Sequence, residues 1–514
     1  MPELFARAGR AAAWAALAKW LDMIGSTLTF LVMVRLLGPH SFGVFGMALL
    51  AILLPETVVG GALSDSLIQR RDLRPGHVAG AFVLHLVLAL VLFAGLAALT
   101  PWIARLFGEA ELVQLIPVMS ATLVLMALSA APAALLQRDL KFGAIAAVDA
   151  VGTVTAAVVG VALGLSGFGV WSLVWMEVAR RGVRALGFIL AARWRPSFAF
   201  SPGDVAELMR FNLLTLATRL LSQTDLVIPR MLVGATMGAQ ALGYFNLAWR
   251  IFQQGSAVII APFNAVALPV AAGVQHDRAQ LHAALGGATR VAALVAYPAF
   301  FGAAAIAPAA IPVLLGASWI PAIPVIQLML LMGVRAATAS FNGGVLRGGG
   351  RPGLQLAIVL SGVAISLVLV PIAGLWGLTA VVGAMLVRGL ATWAIGAWLV
   401  QRAVGYPARQ QFLIGWESLA AAAVMASVVM IAHRGLAGVA SGWVLLPALA
   451  AIGVATHLAM LALLAPDLGR RLWGILGALV RRDRGRAATL LGLTWAATAI
   501  DTEGLQDGVQ GEPG

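Results

Sequence analysis

Long apolar runs alternate with short polar connections along most of the chain. Many of these runs reach the roughly 20 residues that an α-helix needs to cross a bilayer. We interpret each run as one membrane-spanning helix, and the pattern predicts about fourteen of them. Their predicted ranges are 12–37, 42–66, 77–104, 111–136, 144–165, 168–192, 206–233, 239–272, 286–316, 320–346, 354–373, 375–400, 412–433 and 441–465.

The composition agrees with a membrane protein. Of 514 residues, 61% are hydrophobic and 11% are charged, whereas a soluble domain carries about 25% charged residues. The chain has no cysteine, which excludes disulfides, iron–sulfur clusters and thiol catalysis. The sequence also shows no metal-ligand cluster and no nucleophile triad. It therefore predicts neither a catalytic site nor a metal or other cofactor.

The basic residues indicate the orientation of the helices. A net charge of +13 could suggest nucleic acid, but the Lys and Arg residues lie between apolar runs and are concentrated in alternate connections. The sixth predicted helix and the connection after it, for example, contribute Arg180, Arg181, Arg184, Arg193 and Arg195 to the cytoplasmic set. By the positive-inside rule, the basic connections and both termini are predicted to be cytoplasmic. We expect the first apolar run to be a retained helix rather than a cleaved signal.

Three pairs of short segments indicate an internal repeat. The members of each pair lie roughly 200 residues apart, which corresponds to an even shift of six helices. The two halves should therefore have the same orientation, related by an axis along the membrane normal, as in parallel-repeat transporters. The pairs are RLLGPHSFGVFGMA (35–48) with RMLVGATMGAQALGYFNLA (230–248), LLQRDLKFG (135–143) with VLRGGGRPG (345–353), and GVWSL (169–173) with GLTAV (377–381).

The predicted fold is an all-α integral membrane protein with two six-helix lobes, a parallel internal repeat and two extra C-terminal helices. A fold of this kind places a substrate cavity between its lobes. The predicted parts are an N-terminal lobe (1–192), a cytoplasmic linker (193–205), a C-terminal lobe (206–401), helices thirteen and fourteen (402–465), and a basic cytoplasmic tail (466–514) whose end is predicted to be disordered.

Five segments resemble one known family, the Wzx-like lipid-linked oligosaccharide flippases. This polysaccharide transporter family belongs to the multidrug/oligosaccharidyl-lipid/polysaccharide flippase superfamily. The segments are VRLLGPHSFGVFGMA (34–48), GGALSDSLIQR (60–70), LSAAPAALLQRDLKF (128–142), GFGVWSL (167–173) and SQTDLVIPRMLVGATMGAQALGYFNLAWR (222–250).

The resemblance implies a function. It implies that an undecaprenyl-pyrophosphate-linked oligosaccharide moves from the inner to the outer leaflet of the bacterial inner membrane. The sugar would then enter exopolysaccharide, capsule or O-antigen assembly. Besides membrane lipids, the expected partners are the polysaccharide polymerase and glycosyltransferase machinery.

The seventh predicted helix concentrates polar groups that such an anionic cargo could meet. At 100° per residue, Asn212, Arg219 and Gln223 lie on one face, and Arg230 joins them if the helix is straight. Pro229 cannot donate to the carbonyl of Asp225, which predicts a kink or a hydrated backbone there. We expect Arg219 to face the cavity, although an ion pair with a neighbouring helix would also explain it.

Asp225 points about 120° away from Arg219 on the same helical wheel. It could stabilise helix packing, pair with Arg250 or carry a coupling proton. Arg250 lies mid-way along the eighth helix, where a cavity or ion-pair role is expected.

Arg35, Arg230 and Glu56 are also candidates, while Asp22, Asp65, His85, Asp149 and Glu177 are weaker ones. Arg35 and Arg230 occupy matching places near outer helix ends, where arginines extend to the headgroups or could line the cavity. Glu56 follows Pro55 near the middle of the second helix. A carboxylate there is costly unless it is neutral, paired or hydrated, so it is either a proton-coupling group or a paired structural acid.

The same residues and connections also bear on three other functions. A multidrug cation exporter of this superfamily would need acids rather than arginines in its cavity. A lipid II flippase would also need a cationic cavity, and the sequence separates it less clearly. A membrane polymerase or ligase needs a sizeable outer loop, whereas the outer connections here are short. The sequence has no nucleotide-binding domain, which favours ion-coupled transport or transport driven by removal of the product.

Overall fold

The computed structural model describes residues 2–61, 67–68, 70, 72–261, 263, 278–348, 351–436 and 442–466. Every regular element in these ranges is helical, which confirms the all-α fold class. The helices are α1 (Pro2–Gly61), α2 (Pro75–Phe107), α3 (Leu112–Arg138), α4 (Phe142–Leu165), α5 (Val170–Ala192), α6 (Pro202–Ile259), α7 (Arg278–Leu314), α8 (Ile323–Gly348), α9 (Pro352–Gly374), α10 (Leu378–Val404), α11 (Ala408–Leu413), α12 (Trp416–Leu436) and α13 (Gly442–Leu464), with a 3₁₀ turn at Ala317–Ala322.

The protein is a multi-pass membrane protein. In the described ranges, ten helical segments are long and apolar enough to cross a bilayer. The predicted number of about fourteen helices stays a prediction, because α5 and α6 carry several charges and one of the ten segments covers two predicted helices. The end of predicted helix eight (264–272), residues 62–66 of helix two and the tail from 467 lie outside the described residues.

Two helices are longer than predicted, because each predicted outer turn is reduced to a single glycine. Helix α1 covers the first two predicted helices and is interrupted only at Gly38 (φ 72°, ψ 175°). Helix α6 covers the seventh and eighth and is interrupted at Gly238 (φ 80°, ψ −179°). Glycine adopts a positive φ without the steric cost that a Cβ imposes. The non-helical backbone of α6 lies at Gly238, whereas Pro229 has helical backbone angles.

Left-handed glycines recur at equivalent outer connections of the two predicted halves. Besides Gly38 and Gly238, Gly108 corresponds to Gly316 and Gly169 to Gly377, all with positive φ. The members of each pair are again roughly 200 residues apart. Three matching breaks in the same order favour the predicted parallel repeat.

The two interrupted helices cross in a reciprocal contact just after their glycine breaks. A Cβ added to Gly43 of α1 would collide with the backbone carbonyl of Ala239 in α6. A Cβ added to Gly243 of α6 would collide with the backbone carbonyl of Pro39 in α1. These residues occupy equivalent positions of the predicted repeat, and each glycine faces a backbone carbonyl of the other helix. Only glycine allows the two backbones to approach so closely.

The chain divides into two compact units. The first comprises Met1–Leu247, Leu314–Ala322 and Ile365–Val381, and the second comprises Ala248–Val313, Ile323–Ala364 and Val382–Gly514. These boundaries differ from those of the predicted lobes, which stay a prediction. All four residues of the helix crossing belong to the first unit.

Candidate functional site

Helix α5 carries a charged face near its middle. Glu177, Arg180, Arg181 and Arg184 have the i, i+3, i+4 and i+7 spacing that places side chains on one side of a helix. The structure places all four within the helix, as the predicted range 168–192 does, although the three arginines were counted with the basic cytoplasmic connections. An arginine paired with a carboxylate one turn earlier is stable inside a helix, and a count of basic residues cannot distinguish it from an arginine in a loop.

Glu177 is the centre of this face and is almost fully buried, with a side chain that is 8% exposed. Arg180 donates from Nη2 to Oε2 at 2.6 Å, and Arg181 donates from Nε to Oε1 at 2.7 Å. Both carboxylate oxygens thus accept charge-assisted hydrogen bonds, the strong class of hydrogen bond in proteins. A carboxylate inside the membrane is tolerated when it is paired in this way.

Arg181 also forms an ion pair with Glu56 of α1 through its Nη2 atom. One guanidinium therefore joins two carboxylates, and it connects α5 to a helix that lies far away in the sequence. With Arg180 included, the cluster holds two acids and two bases, so it is electrically balanced. Arg181 is thus the partner that a carboxylate at the position of Glu56 requires. A role of Glu56 in proton coupling stays a prediction.

A second ion pair extends the cluster to α4. Asp149 accepts from Nε of Arg184 at 2.9 Å, although both side chains are substantially exposed. Nearby, the hydroxyl of Thr153 in α4 donates to the carboxylate of Asp22 in α1. Because exposed ion pairs contribute little, the Arg181 contacts are the stronger link between these helices.

A cavity of about 200 Å³ lies beside Arg181 and Arg184. Its volume exceeds the roughly 30 Å³ that one water molecule occupies in the liquid, so several waters fit next to the guanidinium groups. Small and apolar side chains of α3 form much of the wall. The lining residues are Gly60, Ile68, Met126, Ser129, Ala130, Ala133, Ala134, Gln137, Arg181, Arg184 and Phe188. Charged groups here can therefore face water instead of lipid.

One predicted cavity residue is connected to this cluster. Gln223 of α6 donates from Nε2 to the hydroxyl of Thr57 at 3.5 Å, and Thr57 directly follows Glu56 in α1. The contact brings the polar face of predicted helix seven next to the ion-pair cluster. Arg219, one turn before Gln223, is exposed.

The other predicted site residues are distributed more widely. Arg35 is exposed and Arg230 is half-buried, both within the first unit. Arg250 is half-buried and belongs to the second unit. The side chains of Asn212 and Asp225 lie outside the described part of the structure.

Sequence reasoning missed Arg181, the residue that joins Glu56 to Glu177. The signal was present, since Glu177 precedes Arg180 and Arg181 by three and four residues inside an apolar segment. That spacing is typical of an ion pair on a helix surface. The pairing with Glu56 had no comparable signal.

Comparison with known proteins gives a consistent result. The family model described as "Polysaccharide biosynthesis protein" matches residues 32–324, more than half of the chain. The chain is similar to the succinoglycan biosynthesis transport protein ExoT of Rhizobium meliloti (strain 1021), with 27% identity over 318 residues, 62% of this chain and 64% of that protein. It is also similar to the teichuronic acid biosynthesis protein TuaB of Bacillus subtilis (strain 168), with 23% identity over 307 residues, 58% of this chain and 62% of that protein.

The matched region therefore spans less than two thirds of the length of these two relatives.

Among solved structures, the lipid II flippase MurJ in its inward closed conformation resembles this chain with a TM-score of 0.70. The alignment covers 88% of this chain and 99% of MurJ, at 14% sequence identity. At that identity the likeness shows a shared fold.

Proposed function

We propose that this chain, which belongs to the polysaccharide biosynthesis protein family, is a membrane transporter rather than an enzyme. Its cargo would be an undecaprenyl-pyrophosphate-linked oligosaccharide, carried from the inner to the outer leaflet of the bacterial inner membrane. The product would enter exopolysaccharide, capsule or O-antigen assembly. The transport role named for ExoT and the flippase fold of MurJ support this proposal.

The observation that carries the proposal is the Arg181-centred cluster beside a cavity. A pyrophosphate must cross roughly 30 Å of hydrocarbon, where an unpaired charge is costly. Glu56 and Glu177 together with Arg180 and Arg181 form an electrically balanced cluster of ion pairs inside membrane helices, next to space for water. A protein that accommodates buried charge in this way is suited to a polar, charged cargo.

We assign different tasks to the charged residues within an alternating-access cycle. Arg219, Arg250 and Gln223, together with Asn212, would contact the pyrophosphate and the sugars. Arg35 and Arg230 lie near the predicted outer helix ends. They would attract the anionic pyrophosphate of the cargo after it has passed the first group of residues.

The two acidic candidates have a different task. Glu56 and Asp225 would contribute ion coupling or structural pairing. The contact of Gln223 with Thr57 gives a route by which cargo near Gln223 can influence the Glu56–Arg181 pair.

Deletion and complementation test the proposal. Deletion should remove a surface polysaccharide and retain its lipid-linked repeat unit on the inner leaflet. Arg219→Ala should reach the membrane and yet restore little polysaccharide, because losing one charge-assisted contact slows transport by roughly 10- to 100-fold. Surface polysaccharide and lipid-linked intermediates measure both effects.

Arg195→Ala is the matched control, since it removes an exposed arginine from the connection that follows α5. We expect full rescue by this variant. Normal surface polysaccharide in the deletion strain would refute the function, whereas full rescue by Arg219→Ala would refute only the role of Arg219.

A lipid II flippase is the second candidate, because the fold likeness to MurJ covers most of the chain. The two candidates differ in cargo. Purified protein in liposomes should flip an undecaprenyl-pyrophosphate-linked oligosaccharide repeat unit faster than lipid II. A preference for lipid II would favour the second candidate.

We further propose that transport is coupled to a proton or sodium gradient, with Glu56 or Asp225 as the candidate titrating group. Collapsing the corresponding gradient across proteoliposomes should slow flipping, measured as the fraction of labelled lipid that reaches the opposite leaflet. Flipping at an unchanged rate after both gradients are removed would show that product removal drives the process instead.

A further inference from the structure

Trp319 is fully buried although it lies in a short connection between membrane helices. Its side chain is 0% exposed within the 3₁₀ turn Ala317–Ala322. The indole Nε1 donates to the backbone carbonyl of Val34 in α1 at 3.1 Å. By contrast, Trp376 lies in another predicted outer connection, after α9, and is 71% exposed. A tryptophan in an outer connection therefore does not have to be buried, and the site of Trp319 needs an explanation of its own.

The indole packs between one aromatic ring of α1 and one of α6. The ring centroid of Trp319 lies 5.9 Å from that of Phe42 and 6.0 Å from that of Tyr244, both in edge-to-face geometry. The Tyr244 hydroxyl donates to the carbonyl of Ser318 at 3.4 Å and accepts from Gln240 at 2.9 Å. The turn is therefore attached to both interrupted helices at once.

These rings lie next to the glycine crossing. Phe42 precedes Gly43 in α1 and Tyr244 follows Gly243 in α6, so each helix contributes one ring and one close backbone contact. The crossing leaves no space for side chains between the helices. Trp319 contacts the ring next to each crossing glycine, so the turn that carries it lies beside the crossing.

We propose that Trp319 is a latch that closes the predicted outer end of the transport path, and that it must leave its site between Phe42 and Tyr244 before cargo is released. Gly316, with a φ of 98°, directly precedes the turn. A short turn can move without unfolding a membrane helix. The proposal rests on the proposed function, because it assigns a direction to cargo release.

The absence of native cysteines makes the latch directly testable. Ala239→Cys places one thiol at the crossing, where the native side chain is 2% exposed. A membrane-impermeant maleimide applied from outside should label this thiol slowly in the otherwise unchanged protein. Adding Trp319→Ala should raise the labelling rate about tenfold or more, because two ring contacts and one hydrogen bond are lost.

Trp376→Ala is the matched control and should label at the parent rate. Equal labelling of the Trp319→Ala and parent proteins would overturn the latch, as would an equal increase in both tryptophan variants. If Trp319→Ala does not reach the membrane, Trp319→Phe decides the question. This variant keeps an aromatic ring and removes the Val34 hydrogen bond, so labelling should rise severalfold, and an unchanged rate would overturn the proposal.

Complementation separates this inference from the proposed function. Labelling needs no cargo, so it reports on the latch even if the cargo assignment is wrong. Trp319→Ala should also reduce surface polysaccharide, whereas Trp376→Ala should restore it. Faster labelling with full restoration would show that the latch exists but that transport does not require it, which overturns the inference as stated.

Discussion

Arg181→Ala is expected to abolish complementation and to destabilise the protein by about 3–5 kcal/mol, the cost of removing one partner from a buried ion pair. Glu177 would keep Arg180, but Glu56 would lose its partner in the middle of a membrane helix. The side chains of Arg181 and Glu56 are both only 20% exposed, so water can compensate little. Thermal unfolding in detergent and surface polysaccharide in a complemented deletion strain measure the two effects.

Charge neutralisation separates the ion pair from simple packing. Glu56→Gln combined with Arg181→Ala removes the unpaired carboxylate, so the double variant should be less destabilised than the sum of the single changes. A double-mutant cycle quantifies this coupling. Arg195→Ala, which removes an exposed arginine, should unfold like the parent protein. Additive effects of Glu56→Gln and Arg181→Ala would contradict a direct pair.

Gly43→Ala and Gly243→Ala are expected to destabilise the protein by about 3 kcal/mol or more, the upper part of the range for overpacked sites. The added methyl group of each variant would overlap a backbone carbonyl of the opposite helix. A side-chain rotation cannot relieve such an overlap, so α1 and α6 must separate. The melting temperatures of the purified variants measure this effect.

Matched glycine substitutions control for the effect of alanine itself. At Gly95 in α2 and Gly383 in α10, a Cβ would meet no atom within 4 Å. Alanine should be neutral there or stabilising by up to about 1 kcal/mol, because glycine is the weaker helix former. Since the crossing is reciprocal, the two crossing variants should have similar effects. A crossing variant that melts like Gly95→Ala would contradict the close contact.

Much of the fold could be predicted from local properties of the sequence. The length and hydropathy of each apolar run depend only on its own residues, and these identified the helices and the membrane location. One pair of repeated segments predicted the outer turns in which Gly38 and Gly238 lie, but the sequence reasoning did not single out these glycines, although a backbone that needs positive φ favours glycine. The predicted turns around them were too wide, since one glycine is sufficient to interrupt each helix.

The candidate site was less predictable. Glu56 was identified as a costly buried acid from its position alone, but its partner Arg181 was counted with the basic cytoplasmic connections. The two residues are far apart in the sequence, so their ion pair depends on how α1 and α5 pack. The role of Arg219 in cargo binding stays a prediction that complementation must test.

The amino-acid sequence by itself determined that this protein is an all-helical membrane protein, because hydrophobic transfer and backbone propensity act over single segments. Only the tertiary structure decided that Arg181 joins Glu56 to Glu177, that two glycine backbones cross, and that Trp319 is buried in a connection that the sequence presents as an outer turn. Each of these contacts joins residues from different helices or turns. Their energies depend on the distance and orientation between elements, which no single segment specifies.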